Sequence, residues 1–348
     1  MSHNILITGA SGYLGGTLLA RWGGAGLPAY QKLFALVRTP EQGEAVKQYG
    51  AEPLAFSLKN EAEIKSGIVD NEISVIFFLI DALTSKAQLP MIRALAEVKK
   101  QTGKDVHFLH TSGAKIFSSH AGLPHDRPLH DDDPQLYDFQ KSAKPAFPPM
   151  QMAVATNNAV IETAEAHGVR SYIFVPCIVY GRGEGFGNPI SIQTVAIVNA
   201  ARKLEQVYRP DQEIYSWPVC HVIDNTRLYL EIMRNILSGK NIAHGKNGYY
   251  LASSGPIVWD DLYRAMAKGL AKRGVVKSDS VEVADDAALQ AMGEALGCPK
   301  EAVSVHLGGS CTLTPNNACK IGWAPEFAAQ HALEVADDEV DLILKSSK

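Results

Sequence analysis

The stretch Asn4-Ile5-Leu6-Ile7-Thr8-Gly9-Ala10-Ser11-Gly12-Tyr13-Leu14-Gly15-Gly16-Thr17-Leu18-Leu19-Ala20-Arg21-Trp22 decides the fold. It opens with a short apolar run of the kind that lies buried in a sheet, and from Tyr13 onward the apolar positions recur with helical spacing. Between the two stand Gly9, Gly12 and Gly15. Gly9 permits a tight turn, Gly12 lets a pyrophosphate approach the backbone, and Gly15 lets the helix lie close to the sheet. The start of the helix then offers unpaired N–H groups and the positive end of its dipole to phosphates. Three glycines alone make a common turn. Set between a strand and a helix, they predict a dinucleotide site with Ser11, Tyr13 and Leu14 in the turn.

Outward from this turn, apolar runs at 5–8, 33–37, 75–80, 106–110 and 172–175 alternate with amphipathic stretches at 13–22, 42–49, 89–100 and 152–167. The alternation predicts an α/β protein with a Rossmann-type, doubly wound parallel sheet. Its crossovers are then right-handed and its ligands sit at the carboxyl ends of the strands. Beyond Gly181 the pattern is less regular. Segments 190–204, 226–237, 260–273, 285–296 and 328–344 read as helices, and 249–252 as a strand. The expected division is a dinucleotide domain over 1–180, with a return at about 219–252, and a smaller, mainly C-terminal substrate lobe from 181–218 and 253–348. Residues 118–150 stand apart, with Pro124, Pro128, Pro134, Pro145, Pro148, Pro149 and the acidic run Asp131-Asp132-Asp133. Directly after a strand end, they read as a long loop over the active site.

The bulk properties narrow the partners. A net charge of −4 over 348 residues, without a basic block, argues against a nucleic-acid surface. The apolar runs are too short to span a bilayer, and a strand at the very start leaves no room for a signal peptide. Cys177, Cys220, Cys298, Cys311 and Cys319 are dispersed and unpaired in pattern, which suggests free thiols and neither a disulfide framework nor zinc. The expectation is a cytoplasmic protein acting on a small-molecule substrate, with no nucleic-acid or membrane partner; a homodimer is compatible with it.

The glycine spacing with Ser11 and Tyr13 resembles the extended short-chain dehydrogenase/reductase superfamily, in its NAD-dependent epimerase/dehydratase group. Phe174-Val175-Pro176-Cys177-Ile178-Val179-Tyr180-Gly181 is similar to that family's strand leading to the nicotinamide side, and Pro218-Val219-Cys220-His221-Val222-Ile223-Asp224 to its element near the lobe junction. The resemblance covers roughly two thirds of the chain. It implies cofactor contacts from Thr111, Asn158, Pro176 and Ile178. Where an acidic residue at the end of the second strand would favour NAD, this chain has Val37-Arg38-Thr39. The planar fork of Arg38 suits a 2′-phosphate, so NADP(H) is favoured and NAD(H) comes second. Asp81, after the 75–80 strand, either contacts ribose hydroxyls or acts as an acid, or else caps the next helix.

The family's chemistry uses Ser or Thr with a Tyr and a Lys four apart on one helix face. His110-Thr111-Ser112-Gly113 supplies Ser112, with Thr111 as the neighbouring hydroxyl. Tyr137-Asp138-Phe139-Gln140-Lys141 has the required spacing, at about the family's separation from Ser112. Against it, Pro145, Pro148 and Pro149 interrupt any helix running on from Lys141, at about 3 kcal/mol for each interior proline. Counting back from Ile161-Glu162 as the family's helix landmark puts Val154 and Asn158 at the Tyr and Lys positions. Tyr137 and Lys141 therefore either react from a short helix folded over the cofactor, or are loop residues in a chain that has lost the usual pair. His120, His125, His130 and His221 are substitutes of lower standing, and Tyr180 and Cys177 border the expected nicotinamide face. The sequence leaves three functions open. The first is an NADP(H)-dependent oxidoreductase working on a carbonyl or alcohol. The others are a redox-neutral epimerase or dehydratase and a cofactor-binding module without chemistry.

Overall fold

The computed structural model describes residues 2–346. The N-terminal half alternates strictly: β1 (Asn4–Ile7), α1 (Tyr13–Trp22), β2 (Lys32–Leu36), α2 (Pro40–Lys47), β3 (Glu52–Leu54), α3 (Glu61–Val69), β4 (Ile73–Phe78), α4 (Gln88–Thr102) and β5 (His107–Thr111). Then come β6 (Leu129–His130), α5 (Leu136–Ser142), α6 (Pro148–Ala166), β7 (Arg170–Pro176), β8 (Ile178–Tyr180), α7 (Gln193–Leu204), β9 (Val207–Arg209), β10 (Ser216–His221), α8 (Val222–Leu237) and β11 (Tyr249–Ala252). The C-terminal part holds β12 (Pro256–Val258), α9 (Trp259–Lys272), β13 (Val281–Val283), α10 (Asp286–Leu296), α11 (Val303–Leu307), β14 (Leu313–Thr314), α12 (Asn316–Lys320), α13 (His331–Glu334) and α14 (Ala336–Ser346).

Seven strands form one sheet in the order β11-β7-β5-β4-β1-β2-β3, and every pairing is parallel. The expected doubly wound sheet is therefore present. The chain leaves β1 towards β2 and β3, then crosses back to β4 on the other side. That reversal opens a crevice at the carboxyl ends of β1 and β4, which is where such sheets bind ligands. The strands hold together because both faces are covered. Every residue of β1 and β4 is buried, with α1 and α8 packed together on one face and α3, α4 and α6 on the other. Each fully buried Leu, Ile or Phe there stabilises the sheet by about 1.5–3 kcal/mol.

Three expectations need correction. β3 and α3 fill a stretch with no strand or helix predicted; β3 is a short edge strand whose exposed Glu52 and Pro53 hide the apolar signal. The helix expected over 328–344 is two helices, α13 and α14. Residues 118–150 are not an open loop. Leu129 and His130 pair with Leu313 and Thr314, and buried Asp131 accepts from the N–H groups of Leu251 and Asn317. The proline-rich segment is thereby fixed between the sheet edge and the C-terminal lobe. Among the described residues no helix is long and apolar enough to cross a membrane.

Candidate functional site

The site is built from the turn between β1 and α1. Gly9 has φ +72°, and a Cβ there would lie 2.8 Å from the Leu79 carbonyl oxygen. A Cβ on Gly15 would lie 2.3 Å from the Gly9 carbonyl oxygen, so any larger residue would push the helix off the turn. Gly12 is different: within 4 Å its Cβ would meet only the Gly9 oxygen, at 3.1 Å, so the space over it is open. Gly12 begins α1 with no side-chain cap, and no acidic residue stands in the first turn. The free N–H groups and positive dipole end at Tyr13 and Leu14 face that open cradle, as a pyrophosphate requires. The residues present thus fit a dinucleotide.

A second wall went unread in the sequence. Gly181-Arg182-Gly183-Glu184-Gly185-Phe186-Gly187 lies directly against the turn. Side chains at Gly185 or Gly187 would collide with Gly16 or Ser11 backbone, at 2.5 and 2.0 Å. The Asn188 N–H donates to the Ser11 carbonyl (3.0 Å), and the Tyr13 hydroxyl to the Gly181 carbonyl (2.6 Å). Arg21 forks onto both oxygens of Glu184 at 2.6 and 2.7 Å. From the far end of the chain, Glu339 accepts from the Gly181 N–H (3.0 Å) and the Thr194 hydroxyl (2.8 Å). Burial pushes the Glu339 carboxyl above its ordinary range. The alternate glycines were the available signal; Glu339, 158 residues from Gly181, had none.

At the end of β2, Arg38 is exposed and makes no ion pair among the described residues. Its N–H donates to the Gln42 side chain (2.9 Å), and Gln42 reaches the Ser11 hydroxyl (3.4 Å), which ties the strand end to the glycine turn. Asp81 is spent on its own turn: its carboxylate accepts from the N–H groups of Leu83 and Thr84 and from the Thr84 hydroxyl, at 2.7, 3.3 and 2.6 Å. This is the capping role, applied to a turn ahead of α4. Thr111 bonds the Tyr229 hydroxyl on α8 at 2.8 Å, so its side chain is committed to the sheet face. Ile178 is buried, and β8 pairs with β10, so it offers no side chain to a cleft; Pro176 ends β7 beside Ala252. Cys177 is a packing residue, with its thiol against the Ala252 carbonyl. Ser112 remains: its buried hydroxyl, at the carboxyl end of β5, has no partner.

The helix α6 bears on both readings of Tyr137 and Lys141. It starts at Pro148, where a missing N–H costs nothing, and ends just before β7, so its first turns lie at the carboxyl edge of the sheet and its last at the opposite edge. Its first residues are Pro148-Pro149-Met150-Gln151-Met152-Ala153-Val154-Ala155, which include no titratable side chain. Val154 is buried in the core, and Asn158 lies a turn further on, its Oδ1 unpartnered. Tyr137 and Lys141 do share a short helix, α5, but they meet α6 at its wrong end. The Tyr137 hydroxyl donates to Glu162 at 2.7 Å and Lys141 pairs with the same carboxylate at 2.8 Å. Lys246, just ahead of β11, lies over the Tyr137 ring at 5.1 Å, and its N–H bonds Glu165. Burial and the Glu162 carboxylate push the Tyr137 phenol above its usual pKa, the reverse of what a proton donor to substrate needs. Glu162 is 14 residues past Pro148, about 20 Å along the helix from its first residue and one turn beyond Asn158. Tyr137 and Lys141 thus form a hydrogen-bonded cluster with Glu162. His120 bonds the Gly308 carbonyl, His130 contacts Asn316, and His221 starts α8, burial holding it down at about 4.

The small concavities of the C-terminal lobe draw no wall from these strand ends. One is lined by Ile197, Tyr208 and Met292, the other by Arg209, Asp211 and Trp259.

With this geometry, the profile of the NAD dependent epimerase/dehydratase family matches residues 5–245, and the chain belongs to that family. It is accordingly an NAD(P)-dependent enzyme of the extended short-chain dehydrogenase/reductase type. No curated protein matches it. Solved structures share the fold at low identity. UDP-glucose 4-epimerase from Thermotoga maritima superposes with a TM-score of 0.64 at 15% identity, over 99% of this chain and 100% of that one. dTDP-glucose 4,6-dehydratase from Bacillus anthracis gives 0.65 at 11%, over 99% and 97%. Vestitone reductase from alfalfa gives 0.60 at 16%, over 99% and 98%.

Proposed function

We propose that this chain is an NADP(H)-dependent oxidoreductase acting on a small carbonyl or alcohol substrate held between the sheet and the C-terminal lobe. The bound nicotinamide would supply or accept the hydride. The glycine turn and the N-terminus of α1 hold the pyrophosphate, and Arg38 takes the 2′-phosphate. Ser112 donates a hydrogen bond to the substrate oxygen and so fixes the carbonyl, while the proton that balances the hydride is exchanged with solvent water. The observation that carries this reading is the end of β2: the Arg38 backbone N–H is tied to the glycine turn through Gln42 and Ser11, its exposed guanidinium makes no ion pair among the described residues, and Val37-Arg38-Thr39 offers no carboxylate for ribose hydroxyls.

Titration of NADPH and NADH, followed by nicotinamide fluorescence, tests it. Arg38→Ala is expected to weaken NADPH by about 10- to 100-fold, the worth of a charge-assisted fork, and leave NADH nearly unchanged. Equal losses for both would sink the NADP assignment. A redox-neutral epimerase or dehydratase is the second reading, favoured by the family itself. Product formed with no net change in nicotinamide absorbance would decide for it.

A further inference from the structure

Beyond Ser112 the chain continues through Gly113 into a single 3-10 turn, Ala114–Phe117, which carries Lys115. The turn is clamped against the C-terminal lobe. The Cys311 thiol lies against the Phe117 carbonyl, the Ser119 N–H donates to the Ser310 carbonyl (2.9 Å), and His120 bonds the Gly308 carbonyl (3.2 Å). Lys115 therefore sits at the junction where the proposed function places the substrate.

Its ammonium is out of keeping with every other lysine. Among the described residues, Lys115 forms no ion pair and no side-chain hydrogen bond, yet it is not exposed. The other unpaired lysines, such as Lys65, Lys86 and Lys268, stand in solvent. The groups that feel its charge are Cys298 and His306, with no carboxylate among them. Burial pushes Lys115 down to about 8, and burial together with Lys115 pushes His306 down. A shielded cation without a counter-charge lowers stability, and an apolar side chain of similar length would serve packing better. The partner it lacks is an anion brought by a ligand. Three residues upstream, the buried Ser112 hydroxyl is also without a partner.

The cofactor does not supply that anion. Its pyrophosphate belongs to the turn after β1 and its 2′-phosphate to the end of β2. β5 lies on the other side of the crevice, three strand positions from β2 and so about 14 Å across the sheet. We propose that Lys115 is the oxyanion-binding subsite of the substrate pocket, and that the substrate carries a carboxylate or phosphate close to the group held by Ser112. This rests on the oxidoreductase reading only in placing the substrate at Ser112; the subsite itself is read from the chain's own charges.

The test uses the full chain saturated with NADPH, so that the glycine turn is filled, and two probes, malonate and inorganic phosphate. Each lysine's rate of acetylation by a limiting reagent is followed by peptide mass spectrometry. An anion beside the ammonium raises its pKa by about one unit or more, so Lys115 acetylation is expected to slow about ten-fold while Lys65 and Lys268 are unchanged. Protection by malonate alone assigns a carboxylate, and by phosphate alone a phosphate. The anion-induced rise in melting temperature is expected to vanish in Lys115→Met and persist in Lys115→Arg. If neither probe protects Lys115, or Lys115→Met keeps the full thermal shift, the proposal is overturned. If NADPH fails to bind, the cofactor reading falls, and the same protection measured on the cofactor-free chain still decides the subsite.

Discussion

The two ends of α6 carry opposite chemistry. At the cofactor edge the helix is Pro148-Pro149-Met150-Gln151-Met152, without an acid or a base. At the far edge it gathers Tyr137, Lys141 and Glu162 into a hydrogen-bonded cluster. The required Tyr-x-x-x-Lys spacing is met, but the pair bonds Glu162, one turn beyond Asn158 and two beyond Val154, and not the first turns of the helix. Spacing places side chains on one face of one helix; it does not say to which end of the sheet that helix is attached. The lesson is that a motif two residues long needs its neighbouring strand specified before it means chemistry.

The contrast can be broken or sharpened at four places. The largest effect is expected at the cofactor edge from Gly15→Val, whose side chain would drive into the Gly9 carbonyl. NADPH binding should vanish while circular dichroism stays native; affinity within about threefold of the wild type would break the assignment of the turn. Next, Ser112→Ala removes the one unpartnered hydroxyl at the end of β5 and should lower turnover about a hundredfold.

Third, His110 lies beneath this edge, stacked on Phe78 with both ring nitrogens unpartnered, and burial holds its pKa at about 4 against an ordinary value of 6.5. Its folded pKa is depressed, so the unfolded chain binds more protons between pH 4 and 6.5. Stability from this site is then present above 6.5 and lost as pH falls towards 4. Urea unfolding should show a loss of about 2 kcal/mol from this residue between pH 7.5 and 5, absent in His110→Phe. An unchanged slope in that variant would remove His110 from the account. The smallest effect belongs to the far edge. Tyr137→Phe should leave turnover within about twofold and cost at most about 1 kcal/mol, since its partners form a half-exposed ion pair. A hundredfold loss of turnover would bring the far cluster back into the reaction.

Legibility in the sequence followed the range of the interactions. The strands at 5–8, 33–37, 75–80, 106–110, 172–175 and 249–252 announced themselves because burial on both faces demands an uninterrupted apolar run. The glycine turn was legible because its constraints lie within seven residues of chain. β3 and the two- and three-residue strands of the lobe were not, because segments so short carry no period. The choice between the two readings of Tyr137 and Lys141 was not legible, because their partner Glu162 is set by how α5 folds back along α6. Lys115 escaped notice because its distinction is a missing partner, and only the folded chain shows which lysines have one.

One residue links three distant parts of the chain. The carbonyl of Gly181 is held by Tyr13 from the first helix, and its N–H by Glu339 from the last. The two contacts come from helices far apart in the chain, so the wall that leans on the glycine turn is tethered only where α14 is in place. A chain cut ahead of Glu339 keeps the motif and loses this clasp.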